Sequence, residues 1–337
     1  MKRFVFIITM VLVASSAILS SCGGGGTQKK GKATAKVLSA PYELLLVAHK
    51  SWLSAGDGIE FRKIVDCPIV GIPQLEPNFR VTALEPRDYN GKYLMYGNIF
   101  IADIDPKYTE PSLDVEYDVN AQPQIVVTVK APTSDRMMIF LDGKQDSILN
   151  LFVQHELKRE RDLLVKRHSA AVKKEAKKMF NANICAPIDV DAVFEKDNFF
   201  RAVSSKRFQV MNVCMYAYPF TSMDDFNKET FIQKRDSAMS KWIYGDTEVN
   251  YMCTDPRSVV DSKTTINGRF VYQVRGLWVF NKAPFGGPFV SYSFVDEPNN
   301  RVIVAEGFIW APEEKKRALI RELEASLQTV EINDGKK

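Results

Sequence analysis

QDSILNLFVQHELKRERDLLVKRHSAAVKKEAKKMF, residues 145–180, divides this chain in two. Leu149, Val153, Leu157, Leu164, Val172, Ala176 and Met179 recur at near-helical spacing with charges between them, which predicts one long amphipathic helix. Lys158, Arg159, Arg161, Lys166, Arg167, Lys173, Lys174, Lys177 and Lys178 make it strongly basic. A nucleic-acid or anionic-lipid surface would use such a run. Glu160, Asp162 and Glu175 interrupt it, however, and the solvated face of a connecting helix is the preferred reading. No nucleic-acid partner is expected.

On the N-terminal side, strand signals stand at residues 42–49, 79–84, 94–104 and 125–129. Residues 50–65 have helical spacing (Trp52, Ile59, Ile64), broken early by Gly56-Asp57-Gly58. Asn90-Gly91 marks a turn. On the C-terminal side, 199–204, 208–218, 270–280, 289–295 and 302–310 read as strands, and 231–243 as a helix. A last helix is expected over 312–330, with Pro312 at its first position, Glu313-Glu314 suiting its dipole, and Ile320, Leu323, Leu327 and Val330 as its buried stripe. Both halves read strand, helix, three strands, helix, and both leave their last strand through Ala-Pro, at Ala131-Pro132 and Ala311-Pro312. The expectation is an α+β fold: two similar lobes, 41–144 and 181–332, each an antiparallel sheet with helices on one face, joined by the helix 145–180.

The ends say where such a chain would work. Met1-Lys2-Arg3, an apolar run from Phe4 to Ala14, and Leu19-Ser20-Ser21 before Cys22 have the layout of a secretory signal over residues 1–21. The apolar run is shorter than the roughly 20 residues a membrane span needs. A cysteine directly after Leu-Ser-Ser resembles the lipobox of bacterial lipoproteins, which implies acylation of Cys22 and a stable membrane anchor. Residues 22–40, with Gly23 to Gly26 and scattered lysines, read as a flexible tether, and 333–337 as a disordered tail. The tether lacks acidic residues up to Lys36, which favours the periplasmic side of the outer membrane.

Composition excludes little. The chain has 45% hydrophobic and 26% charged residues, ordinary for a globular protein, and a formal charge of +4 that names no polyanionic partner. Cys67, Cys185, Cys214 and Cys253 make no CxxC pair, so zinc is not expected and their disulfide state stays open. Of the three histidines, His155 precedes Glu156 but no second histidine follows at zinc-protease spacing. GxSxG, SxxK and GxGxxG do not occur, so no cofactor is expected. A carboxylate-pair enzyme remains open, since such pairs converge in space without a motif.

The polar residues that stand out are Glu76, in the stiff loop Ile72-Pro73-Gln74-Leu75-Glu76-Pro77, Arg235-Asp236 in the amphipathic helix, and Arg275 and Trp278 in Arg275-Gly276-Leu277-Trp278. One reading lines a binding groove with all five. The other makes the arginines internal partners of carboxylates, with Asp236 or Glu76 as acceptor for Arg275.

Pro68-Ile69-Val70-Gly71-Ile72-Pro73-Gln74-Leu75-Glu76-Pro77, Tyr216-Ala217-Tyr218-Pro219, Tyr251-Met252-Cys253-Thr254, Gly286-Gly287-Pro288-Phe289-Val290-Ser291 and Gly307-Phe308-Ile309-Trp310-Ala311-Pro312 together resemble a family of Bacteroidetes-type lipoproteins known only as a domain of unknown function. Arg235-Asp236, Arg275-Gly276-Leu277-Trp278, Lys315-Lys316-Arg317 and Arg321-Glu322-Leu323-Glu324 belong to the same resemblance, which spans nearly the whole mature chain. It implies an envelope lipoprotein and no activity. The resulting expectation is a non-catalytic periplasmic binding or assembly module with an envelope protein or glycan as partner. The alternative is an envelope hydrolase with paired carboxylates acting on a cell-wall or glycan substrate.

Overall fold

A computed structural model describes residues 28–333, except 32, 33, 55 and 207. The signal, Cys22 and residues 334–337 lie outside the described residues. The first lobe runs β1 (Gln28–Lys30), β2 (Glu43–Val47), α1 (Lys50–Ser54), α2 (Gly56–Val65), β3 (Arg80–Leu84), β4 (Asn98–Ile104), β5 (Ser112–Tyr117), β6 (Ile125–Ala131) and α3 (Ser134–Leu141). Next come α4 (Gln145–Lys166) and α5 (Ala170–Phe180). The second lobe contains β7 (Ala182–Asn183), β8 (Val190–Lys196), β9 (Phe199–Ser204), β10 (Val210–Pro219), α6 (Lys228–Trp242), β11 (Met252–Ile266), β12 (Arg269–Phe280), β13 (Ala283–Asp296), β14 (Arg301–Trp310), α7 (Arg317–Leu327) and β15 (Glu331–Ile332).

The chain is α+β, but its lobes are not copies. The first sheet has the order β1-β5-β6-β4-β2-β3, and β2 pairs in parallel with both β3 and β4, as does β4 with β6. Leu44, Leu45, Leu46 and Val47 are all buried because both faces of this sheet are covered, which is the habit of parallel sheets. Leu44, Leu46 and Phe100 meet Phe61 of α2, Met137 of α3 and Phe152 of α4 on one face. Leu45, Val47 and Ile99 meet Tyr89, Tyr93 and Tyr96 of a connecting loop on the other. The second sheet, β11-β12-β13-β14-β10-β9-β8, is wholly antiparallel. It carries helices on both faces rather than one. Met211, Val213, Tyr292 and Ile303 pack under α5 and α7, while Cys214, Val274, Phe289 and Val304 pack under α6.

The predicted single helix over 145–180 is two. It breaks at Arg167-His168-Ser169, where the Ser169 hydroxyl accepts from Val172 N at 3.3 Å and caps α5. The tether is shorter than expected, because β1 pairs with β5, Val37 N donates to Gln122 O at 3.2 Å and Leu38 N to Met95 O at 3.0 Å. β5, β8 and the 15-residue β11 had no counterpart among the expected strands. The last helix begins at Arg317, not at Pro312, so Glu313 and Glu314 precede its first turn. Cys67, Cys185, Cys214 and Cys253 are free thiols.

Candidate functional site: the cleft between the lobes

Helix α7 organises the junction. Leu319, Ile320, Leu323 and Leu327 form its apolar stripe and bury it against the second sheet. Contact is close enough that a Cβ on Gly307 of β14 would lie 2.7 Å from Leu323 Cβ. Ala325 reaches into the first lobe's core instead, and Arg321 and Glu324 are buried where the lobes meet.

The loop 68–78 of the first lobe locks onto this helix. Ile69 N donates to Glu76 O at 2.9 Å and Asn78 N to Cys67 O at 2.9 Å, closing the loop into a narrow finger. Gly71 at its tip has φ +84, and a Cβ there would come within 3.0 Å of Arg275 Cβ. Glu76 receives Lys316 N at 2.6 Å and Arg317 N at 3.2 Å. A carboxylate from one lobe thus caps the helix of the other, satisfying amides that α7 leaves free and complementing its dipole. Arg317 Nη1 donates to Pro77 O at 2.9 Å, and Arg321 Nη2 to Asn78 Oδ1 at 2.6 Å.

Beside this lock lies a cleft of about 630 Å³. Ile69 and Val70 of the finger, Asn150 and Gln154 of α4, Gln273 and Arg275 of β12, and Arg321 and Glu324 of α7 contribute to its walls. Glu324 accepts from Arg275, from Arg321 Nη1 at 2.8 Å and from the Tyr292 hydroxyl at 3.4 Å. Burial would raise its carboxyl, but Arg275 and Arg321 hold it below its ordinary value. Arg321 Nε is buried without a hydrogen-bond partner among the described residues.

The five residues singled out from sequence do not form one groove. Arg275 alone of them lines the cleft, and its acceptor is Glu324, not Asp236 or Glu76. Glu76 is the helix cap just described. Arg235, Asp236 and Trp278 lie on the α6 face, with the sheet between them and Arg275. Arg235 is fully buried against fully buried Glu306, with Nε 3.1 and 3.0 Å from its two carboxylate oxygens and Nη2 at 2.8 Å. Its Nη1 donates to Thr254 Oγ1 at 2.9 Å, and its guanidinium stacks 4.1 Å over Phe289. Burial opposes the charge on Arg235, but the Glu306 field more than offsets it and keeps the guanidinium protonated. Asp236 accepts from Thr254 N at 2.9 Å and from its hydroxyl at 2.6 Å. Trp278 is buried among Phe280 and Phe308 and donates from Nε1 to Ile309 O at 3.0 Å. All three are structural partners. Missed in the sequence were Glu306, a lone acid in an apolar strand, and the Arg321–Glu324 pair, one turn apart on α7.

Among the described residues no group of three or more histidines, cysteines or carboxylates is placed to hold a metal, and no helix is long and apolar enough to cross a membrane. Two carboxylates do approach each other where α4 meets α7: burial pushes Glu322 up to about 7, and Glu160 is the charged neighbour that adds most to it. Neither lines the cleft.

The fold and junction thus define a two-lobe α+β protein with a cleft between its lobes. Residues 38–164 match the family model of a domain of unknown function (DUF8532), and residues 169–329 match that of a second (DUF4837). The two matches together cover most of the chain and adjoin at the turn between α4 and α5. No curated protein matches it.

Proposed function

We propose that this chain is a lipoprotein of the outer membrane, held through acyl chains on Cys22 and facing the periplasm, whose lobes form a non-catalytic module that binds an extended segment of another envelope protein. The observation that carries the binding reading is the lining of the inter-lobe cleft. Asn150, Gln154 and Gln273 bring side-chain amides to its wall; Gln154 donates to Asn150 at 3.2 Å and Gln273 accepts from Ser262 at 3.3 Å, which leaves the Asn150 and Gln273 amide N–H groups for a peptide backbone. Arg321 has an unused buried N–H. At and beside the rim, Val70 and Leu75 are 54% and 88% exposed, apolar surface that a protein partner would cover. The hydrolase alternative has the Glu160–Glu322 approach in its favour, but neither carboxylate lines the cleft.

A photo-crosslinking residue at Val70, compared in the producing cell with one at exposed Ile139 on α3, tests the reading. A discrete protein adduct from Val70 that is absent from Ile139, and lost when Gln273→Trp fills the cleft, is expected. Adducts removed by glycan digestion would replace the protein segment with a glycan, and equal adducts from both positions would remove the site. Incorporation of a fatty-acid analogue by the wild type but not by Cys22→Ala tests the anchor. Label on the variant would end the lipoprotein reading.

A further inference from the structure

A second and larger cavity, of about 890 Å³, adjoins the cleft along α4, sharing Ser147, Asn150 and Gln154 with it and otherwise lined by different residues. It runs between α4 and the β5–β6 side of the first sheet, and its chemistry changes in order along the helix. Ile148 and Leu151, with Leu113 and Tyr117 of β5 opposite, give the first part an apolar patch, edged by Lys144, Ser147 and Asn150. His155 follows one turn later, and Arg159 and Arg161 a further turn on. Residues 151, 155 and 159 share one helix face, with about 6 Å of rise between successive members.

The polar groups in this cavity are under-used. His155 is buried, and its Nε2 has no hydrogen-bond partner among the described residues. Burial pushes the ring down to about 4, so it is neutral near pH 7. A neutral imidazole can offer Nε2 as an acceptor to a ligand hydroxyl. Arg159 Nη1 is likewise buried with no hydrogen bond, its nearest acid being Glu156 Oε2 at 3.7 Å. Arg161 has no ion-pair partner among the described residues, whereas Lys158 is paired with Asp162 and Lys144 is engaged by Phe140 O at 2.6 Å. A buried acceptor and a buried guanidinium N–H left unpaired are costly unless a ligand completes them.

We propose that this cavity binds a single-chain acyl glycerophospholipid. The acyl chain lies along Leu113, Tyr117, Ile148 and Leu151, the glycerol hydroxyl donates to His155 Nε2, and the phosphate meets Arg159 and Arg161. A fatty acid lacks the hydroxyl, and its carboxylate would face an acceptor at His155. A monoacylglycerol has the hydroxyl but leaves Arg161 without an anion. The chain–hydroxyl–anion order along α4 therefore selects a lysophospholipid over both.

The test is calorimetric binding to the purified full chain of three probes held below their micelle concentrations: 1-myristoyl-lysophosphatidylglycerol, myristic acid and 1-monomyristoylglycerol. The lysolipid is expected to bind at least tenfold more tightly than either of the others. Arg161→Glu, at a residue with no internal partner to lose, is expected to weaken the lysolipid at least tenfold and leave the melting temperature in place. His155→Phe is expected to remove the preference for lysolipid over myristic acid, and should it fail to fold, the Arg161 result decides alone. Equal binding of the three probes, no binding, or an Arg161→Glu variant that binds as the wild type does would overturn the proposal.

Discussion

At the scale of single residues, parity in a strand separates what proximity in sequence suggests. Arg275 and Trp278 are three apart on β12, so their side chains leave opposite faces of the sheet. That argument needs only the sequence, and it excludes a groove containing both. Arg275 lies on the α7 face, where it shares Glu324 with Arg321. Its side chain is 20% exposed and Glu324 keeps a second guanidinium, so Arg275→Ala is expected to cost about 1–2 kcal/mol in chemical denaturation, less than a fully buried pair would. Arg321→Ala, which also strands Asn78 Oδ1, is expected to cost about 3 kcal/mol or more. The Arg235–Glu306 pair behaves differently because nothing replaces either partner. Arg235→Met alone leaves a buried carboxylate and is expected to cost roughly 3–5 kcal/mol, while adding Glu306→Leu is expected to restore most of it. If the double variant is no more stable than the single, the pair is not the reason for the loss. Glu306 was legible as an oddity, a lone acid within VIVAEGFIW, but its partner 71 positions away was not.

At the scale of elements, the strongest apolar segments were located correctly and their pairing was not. LLLV in β2 and IVV in β6 are continuous apolar runs rather than alternating ones, the pattern of a strand covered on both faces. The antiparallel expectation for the first lobe passed over that pattern, which suits the parallel pairing of β2, β4 and β6. β11 escaped because its outward positions are polar and Pro256 interrupts it, which an edge strand with a bulge at Asp255–Val260 tolerates. The start of α7 escaped for a deeper reason. Its cap, Glu76, is 240 residues away from Lys316, so no local signal could announce it. Glu76→Ala is therefore expected to cost about 1–2 kcal/mol and to speed amide exchange at Lys316 and Arg317, with Glu76→Gln between the two. Unchanged exchange at those two amides would show that the contact does not hold the helix end.

At the scale of the molecule, the junction of α4 and α7 carries a pH dependence. Glu322 stands near 7 in the folded chain, against an ordinary 4.5, because it is buried near Glu160 and Asp189. Below about 4.5 both folded and unfolded chains hold its proton. Between about 4.5 and 7 the folded chain alone keeps it, so stability falls as pH rises through that window, and the loss is complete above 7. Glu322→Gln is expected to match the wild type at pH 4 and to exceed it by about 2–3 kcal/mol at pH 8. Equal stability at pH 8 would refute the shift. The two sheets, and the two family-model matches that adjoin between α4 and α5, concern the parts. The cleft depends on the finger 68–78 crossing from one part to the other, which composition and periodicity do not encode.

The central claim is that this cleft is occupied in the envelope. It is tested most directly by amide hydrogen exchange of the full chain, measured once in intact cell envelopes and once after purification. Exchange in the finger 69–78, in the 146–154 segment of α4 and across α7 is predicted to be slower in the envelope, with β8 and α6 unchanged. Identical rates in the two samples, or slowing confined to segments away from the cleft, would contradict it.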